Sequence, residues 1–298
     1  MKVKTFSRLI ACFCVISGLA ACDARPRSEI DGKSLLDIFG KEGPQVGGVS
    51  DALRQSAKEA EDAGDYGRAL QFYKQLADKY PDDVSYQLSL AENLRRVNKL
   101  DDAISAYDSI LRKTPNHVEA LEGKGLALFA KSDFPNASDA LETVMRIAPN
   151  RWRTLNGIGL LFVAKNMPNE AVSYFDAALA QSPDHPTVLN NVGLTLALTQ
   201  DYDRAIAALN RASGKVSPKS LERERIDLNL ALVLGLSGDM DRAEKVASQH
   251  LTGAALQNNL GFYAKLAGDN GLAKAYLNSA LSGSPTFYEK AWDNLEDH

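Results

Sequence analysis

Cysteine is almost absent from this 298-residue chain: three residues, Cys12, Cys14 and Cys22, all lie in its first 22 positions. Everything after Cys22 lacks a thiol, which excludes a disulfide framework or a cysteine-ligated metal site there. The four histidines are scattered along the chain and form no metal-ligand spacing. Stability after residue 22 must therefore come from packing.

Catalytic motifs are also lacking. The sequence contains no H-E-x-x-H, no G-x-S-x-G, no P-loop and no dinucleotide-binding fingerprint. Acidic pairs such as Asp82-Asp83 and Asp101-Asp102 stand at or before predicted helix starts, where carboxylates cap free N–H groups. We therefore predict a protein that is not an enzyme and that uses no cofactor and no metal.

Basic clusters interleaved with aromatic residues are missing as well. The chain carries 34 basic and 38 acidic side chains, for a formal net charge of −4. A net negative chain is repelled by phosphate backbones, so the sequence indicates no nucleic-acid partner.

What is present begins with a secretion signal. Lys2, Lys4 and Arg8 precede an apolar run from Leu9 to Ala20, too short to span a bilayer as a helix. The run ends in Leu19-Ala20-Ala21-Cys22, which resembles the lipobox of bacterial lipoproteins. That resemblance implies cleavage of residues 1–21, acylation of Cys22 and a lipid anchor on the periplasmic side of the envelope. An ordinary signal peptide with an incidental cysteine is the alternative.

Residues 22–49 are predicted to be a lipidated, flexible tether. The segment is rich in Gly, Pro and charged residues, and its only apolar cluster, here called the apolar knot, consists of Leu35, Leu36, Ile38 and Phe39. A flexible chain of this length spans roughly 25 to 30 Å. Two interpretations of the knot stay open: it docks onto the domain or a partner, or it forms a helical turn that caps the first repeat.

The rest of the chain is periodic. Pro81, Pro115, Pro149 and Pro183 follow each other at 34 residues, and Pro285 keeps the same register. A series of alanines and a series of small residues share that period: Ala69, Ala103, Ala137, Ala171, Ala205 and Ala273, and Ala57, Ala91, Gly125, Gly159, Gly193 and Gly261. Three registers with one period predict a repeat architecture.

Two helices per repeat, here called A and B, account for this pattern. Small residues let the two axes approach closely, and each proline ends a B helix because it has no N–H to donate. The pattern resembles the tetratricopeptide repeat and predicts an all-α, right-handed α-solenoid of about seven hairpins over residues 50–287. The units begin near Ser50, Val84, Val118, Trp152, Pro186, Glu224 and Ala254.

The sixth unit is irregular, because Ala243 lies 38 residues after Ala205 and 30 before Ala273. We expect extra residues around 213–220 and a short second helix near 241–250. A C-terminal capping helix is predicted over residues 288–298, with Trp292 and Leu295 facing the last hairpin.

The A helices of such a solenoid line its concave face, where a partner segment binds. In the first two units the inward positions are charged or polar, and that end should be wet: Asp51, Arg54, Lys58, Glu61, Asp62, Glu92, Arg95 and Arg96.

Later units place an apolar stripe beside a ladder of asparagines on these helices. An amide donates and accepts, so it can hold a peptide backbone. The predicted partner-binding groove consists of Asn156, Leu160, Asn190, Asn191, Leu194, Leu198, Asn229, Leu232, Leu236, Asn258, Asn259 and Phe262. The alternatives are that the asparagines serve packing within the repeats, and that the leucines are covered by the tether or by each other.

The strings from Asn258 to Asn278 and from Ser284 to Leu295, together with the lipobox, resemble the TadD family, the tetratricopeptide lipoproteins of tight-adherence (Tad, Flp-type) pilus systems. The resemblance implies a role in pilus assembly, with the outer-membrane secretin or another assembly component as protein partner. Asp23 resembles an inner-membrane retention signal, yet we favour the outer membrane. An adaptor for peptidoglycan enzymes or envelope proteases is the alternative function, and an enzyme hidden in the tether or cap is a third.

Overall fold

The computed structural model describes residues 46–284 and 289–296, and these fold into α-helices without any strand. The signal peptide, Cys22 and the tether up to residue 45 lie outside the described residues. No helix in the described part combines the length and apolar character needed to cross a membrane. The helices are α1 (Val46–Asp62), α2 (Tyr66–Lys79), α3 (Val84–Arg96), α4 (Leu100–Lys113), α5 (Val118–Ala130), α6 (Phe134–Ile147), α7 (Trp152–Ala164), α8 (Pro168–Gln181), α9 (Pro186–Leu198), α10 (Tyr202–Ser213), α11 (Leu221–Leu236), α12 (Met240–Ala247), α13 (Gly253–Ala267), α14 (Asn270–Ser282) and α15 (Glu289–Glu296).

The chain divides into two compact units that meet between Gly157 and Ile158, inside α7. The N-terminal unit contains α1 to α6 and the first part of α7. The C-terminal unit contains the rest of α7 and α8 to α15. In the N-terminal unit the A helices α1, α3 and α5 pack against the B helices α2, α4 and α6, and in the C-terminal unit α9, α11 and α13 pack against α10, α12 and α14.

Short polar residues fix where the B helices begin. Asp65, Asp133, Asp201, Asp239 and Asp269 each accept a hydrogen bond from the backbone N–H three residues later. Such a cap satisfies one of the orphan donors of a helix N-terminus and stabilises the helix by about 1 kcal/mol.

The turn between each A helix and its B helix contains one residue with positive φ. These residues recur at 34-residue spacing and then shift by the irregularity predicted for the sixth unit: Gly64, Asn98, Ser132, Asn166, Gln200, Gly238 and Gly268. The recurrence confirms the repeat period and the hairpin assignment. It also shows that the left-handed turn is kept even where the residue is not glycine.

Close A–B crossings depend on small residues. The predicted alanine series is buried from Ala69 to Ala273. A Cβ on Gly193 would lie 2.6 Å from Leu209 Cγ and 3.1 Å from the Ala205 carbonyl oxygen. The Leu209 contact is shorter than real Cβ atoms show, so any larger residue at this position would require α9 and α10 to shift apart.

Three details complete the comparison with the sequence. Helix α1 begins at Val46, inside the segment predicted as tether. The short second helix of the sixth unit is confirmed as α12, Met240–Ala247. In α15 the buried residue is Ala291, packed with Leu277 and Ala280, while Leu295 is partly buried against them. Trp292 is 40% exposed, and its contact with the last hairpin stays a prediction.

Candidate partner-binding surfaces

The predicted asparagine ladder of the C-terminal unit is bonded within the protein. Asn229 Nδ2 donates to Asn190 Oδ1 at 2.7 Å, and Asn190 Nδ2 lies 3.5 Å from Asn191 Oδ1. All three side chains are buried. These amides therefore join α9 to α11, which is a contact between successive repeats rather than the packing within one repeat that the sequence left open.

The last two asparagines are also engaged. Asn294 Nδ2 of α15 donates to Asn258 Oδ1 at 2.9 Å, and Asn259 Nδ2 donates to the Ala255 carbonyl oxygen at 2.9 Å. Asn156, in the N-terminal unit, is buried as well. A role for the ladder in holding a partner's backbone stays a prediction.

The leucine stripe is less accessible than its sequence pattern suggested. Leu160, Leu194, Leu198 and Leu232 are at most 8% exposed, which agrees with the alternative that the leucines are covered. The half-buried members of the predicted groove are Leu236, Asn259 and Phe262.

Helix α9 shows why. It packs against α8, α10 and α11, and every residue from Val188 to Leu198 is buried. No charged residue occurs between Pro186 and Leu198. A helix with no charged residue on any side is typical of a buried position, and this pattern was visible in the sequence.

The charged end predicted for the first units is present in the N-terminal unit, where it centres on Glu92. This carboxylate accepts hydrogen bonds from Arg95 Nη2 at 2.7 Å, Arg153 Nη2 at 2.9 Å and Tyr107 Oη at 2.9 Å. Arg96 Nε lies 3.3 Å away. Burial alone would raise the pKa of Glu92, but the three guanidinium groups outweigh it and hold that pKa far below its usual range. Glu92 is therefore ionised at neutral pH.

A second carboxylate, Glu122, continues this network. Its side chain is buried and accepts from Thr154 Oγ1 at 2.6 Å and from Arg151 Nε at 3.2 Å and Nη2 at 3.1 Å. These ion pairs join α3, α5 and α7. The first-unit members of the predicted charged end, Asp51, Arg54, Lys58 and Asp62, are exposed, as expected for a wet surface. Sequence reasoning missed Glu122, Arg151 and Arg153. The available signal was that Glu122 occupies the repeat position where later units carry Asn156 and Asn190.

A similar arrangement links the first two repeats. Glu61 accepts from Asn93 Nδ2 at 2.7 Å and from Tyr73 Oη at 3.1 Å. Burial, together with the negative charge of Glu61, raises the pKa of Tyr73 to about 12. Tyr73 is therefore a neutral donor at neutral pH.

The irregular sixth hairpin contains a polar cluster that the sequence did not reveal. Asp227 is buried and accepts from Ser213 Oγ at 2.5 Å, Arg223 Nε at 2.7 Å and His250 Nε2 at 2.9 Å. Ser213 and His250 both bind the carboxylate rather than each other, so this is not a nucleophile–base relay. The cluster ties the inserted segment to the start of α11 and the end of α12.

No group of three or more potential metal ligands occurs in the part of the chain that the structure describes. The arrangements found on its helices are packed amides, ion pairs and apolar contacts.

Comparison with known proteins agrees with this architecture. Family models described as tetratricopeptide repeat match residues 51–83, 88–151 and 156–218, more than half of the chain. The chain therefore belongs to the tetratricopeptide-repeat proteins. This fold is typical of scaffolds for protein–protein interaction.

Solved structures with the same fold come from several sources. A tetratricopeptide-repeat protein from Parabacteroides merdae is 19% identical, with a TM-score of 0.53, over 83% of this chain and 97% of that one. PilW, described as a widely conserved type IV pilus biogenesis factor, is 21% identical, with a TM-score of 0.58, over 72% and 98%. A thermophilic tetratricopeptide-repeat protein of Thermus thermophilus is 18% identical, with a TM-score of 0.55, over 62% and 98%. At these identities the likeness concerns the fold alone. No curated protein sequence gives a significant match.

Proposed function

We propose that this chain is a membrane-anchored, non-enzymatic scaffold that binds protein partners through the A helices of its C-terminal unit. The observation that carries the proposal is the row of asparagines and leucines at equivalent positions of α9, α11 and α13. Amide and apolar side chains that follow each other along successive A helices suit an extended partner, and Leu236, Asn259 and Phe262 of this row are half-buried and can be reached by one.

Binding begins, on this proposal, at the half-buried residues Leu236, Asn259 and Phe262. Phe262 and Leu236 supply apolar area, which contributes about 25 cal/mol per Å² removed from water. The buried leucines nearer α9 contribute only if the partner displaces what covers them. We therefore assign the first contacts to α11 and α13.

The anchor is proposed to be an acyl group on Cys22, supported by the lipobox-like Leu19-Ala20-Ala21-Cys22. Cleavage would leave 31 basic and 38 acidic side chains, near −7, because residues 1–21 carry three basic and no acidic residues. The protein would then lie on the periplasmic side of the envelope, at the outer membrane if Asp23 does not retain it at the inner one. Cys22→Ser should abolish labelling by radioactive palmitate and release the protein from the membrane fraction. Persistent labelling would contradict the anchor.

The partner is proposed to be the secretin of a Tad/Flp pilus, or another pilus assembly component. The TadD-like strings at 258–278 and 284–295 support this, and the role of PilW in pilus biogenesis agrees with it. Deleting the gene should reduce secretin multimers in the outer membrane and surface pili, and the wild-type gene should restore both. An unchanged amount of secretin multimers in the deletion strain would contradict a role in pilus assembly.

An adaptor for peptidoglycan enzymes or envelope proteases is the second candidate function. It rests on the same fold and lipobox and needs no pilus. Genes for pilin, secretin and secretion ATPase beside this one favour the first candidate, and peptidoglycan synthases or hydrolases favour the second.

A further inference from the structure

The N-terminal unit contains a cavity of about 480 Å³ that is lined by residues of α4, α5 and α6. Its apolar lining is Ile104 of α4, Leu121 and Leu128 of α5, and Ala140 of α6. The three charged residues at the cavity are Asp108, Lys124 and Asp139. Cavities of 300 to 1,000 Å³, by a rough rule, hold small ligands or a few side chains of a partner.

This cavity is in the N-terminal unit, whereas the proposed partner surface is in the C-terminal unit. Leu121, Lys124 and Leu128 follow at spacings of three and four residues and so share one face of α5. Glu122, which accepts from Thr154 and Arg151, lies roughly 130° around the helix from that face at 100° per residue. The cavity is therefore separate both from these ion pairs and from the half-buried residues of α11 and α13.

The charges around the cavity do not balance. Lys124 Nζ lies 2.6 Å from Asp108 Oδ1, so these two neutralise each other. Asp139 is exposed, and its carboxylate has no hydrogen bond or ion pair with any residue of the described ranges 46–284 and 289–296. Arg146, two turns further along α6, donates to Thr143 Oγ1 at 3.0 Å. The carboxylate of Asp139 is thus an unpaired negative charge next to the apolar lining of the cavity.

We propose that this cavity is a second docking site, which takes a partner segment carrying an apolar side chain next to a lysine or arginine. The apolar side chain would pack on Leu121, Leu128 and Ala140, and the cation would pair with Asp139. The same charge disfavours an acidic segment. The inference goes beyond the proposed function, because it assigns the scaffold a separate binding surface in the N-terminal unit.

A fluorescein-labelled peptide made of three Lys-Leu-Leu-Lys units provides a defined probe, with a Glu-Leu-Leu-Glu peptide of equal length as its acidic counterpart. Fluorescence anisotropy with the folded protein should show binding of the basic probe and little binding of the acidic one. Asp139→Asn should weaken the basic probe roughly threefold to fivefold, the size expected for one exposed ion pair. Ala140→Leu, which fills part of the cavity, should weaken it by about tenfold or more.

Asp176→Asn is the matched control, because Asp176 is also exposed on a B helix, α8, and lies in the other unit. It should leave the affinity unchanged, as should Phe262→Ala, which lies on the A-helix surface of α13. Circular dichroism melting checks that Ala140→Leu is folded. Equal affinity in wild type, Asp139→Asn and folded Ala140→Leu overturns the proposal. So does an absence of binding up to the order of 1 mM probe.

Discussion

Asn229 of α11 donates a 2.7 Å hydrogen bond to Asn190 Oδ1 of α9, and both side chains are buried. The bond joins the A helices of two successive hairpins across the inserted residues of the sixth unit. A buried amide is stable only when it is paired, because an unsatisfied buried polar group costs about 1 to 3 kcal/mol. These asparagines therefore specify how α9 and α11 are aligned.

Asn229→Ala should lower the free energy of unfolding by about 1 to 3 kcal/mol, since it leaves Asn190 without its donor. Asn190→Ala should do the same, and the double variant should lose clearly less than the sum of the two. Urea unfolding of the four proteins measures this coupling. Asn278→Ala, exposed on α14, serves as the control and should change stability by less than about 0.5 kcal/mol. Strict additivity of the two changes would mean that the amides act independently.

Gly193→Ala should destabilise the protein by about 1 to 3 kcal/mol, because the added methyl collides with Leu209 Cγ and the Ala205 carbonyl oxygen. Gly271→Ala is the matched control. A Cβ there meets only Asp269 Oδ1, at 3.6 Å, and the change should be neutral or slightly stabilising. Thermal melts of the two variants should separate them, and equal melting temperatures would refute the close crossing of α9 and α10.

Asp227 should make stability depend on pH. Burial would raise its pKa, but hydrogen bonds from Ser213, His250 and Arg223 outweigh burial and lower it. A carboxyl whose folded pKa is lowered contributes stability above its unfolded pKa and loses it as the pH falls through the folded value. Wild type should therefore exceed Asp227→Asn in stability at neutral pH, and the gap should close below about pH 4.

Denaturant unfolding at several pH values measures that gap. Asp241→Asn, exposed on α12, should show a small gap at every pH. A difference between wild type and Asp227→Asn that stays constant from about pH 7 to about pH 3 would show that the carboxylate of Asp227 does not stabilise the fold.

The sequence predicted the hairpins well because their determinants are local and repeated. The alanine series marks the A–B crossings, and Pro81, Pro115, Pro149 and Pro183 mark the ends of the first four B helices. The Asp227 cluster was not predictable, because Ser213 and His250 meet it only through the inserted segment of one irregular hairpin. Glu92 and Arg153 are 61 residues apart, and nothing in a one-repeat period brings them together.

Exposure of the leucine stripe was misjudged for a different reason. A helical pattern shows which residues share a face, but it does not show what lies opposite that face. Leu194 and Asn191 both belong to the predicted groove and are both buried. A Leu194→Asp or Asn191→Ala variant would therefore be expected to lose stability, and a loss of partner binding in it could not be assigned to the surface. Accessible positions are needed to test the partner surface.

Helix α11 offers such a pair. Leu236, half-buried at its C-terminal end, belongs to the predicted partner surface, and Leu221, 73% exposed at its N-terminal end, does not. The same Leu→Asp change can therefore be made at both ends of one helix. Circular dichroism melting establishes that each variant is folded before binding is compared.

The most direct test of the central claim is quantitative copurification from envelope extracts with affinity-tagged wild type, Leu221→Asp and Leu236→Asp. The account predicts that a defined set of envelope proteins is recovered with wild type and with Leu221→Asp. It predicts that Leu236→Asp loses this set, with binding weakened by roughly 2 kcal/mol or more, as for a central interface residue. Equal recovery by all three folded proteins would contradict binding through the A helices of the C-terminal unit.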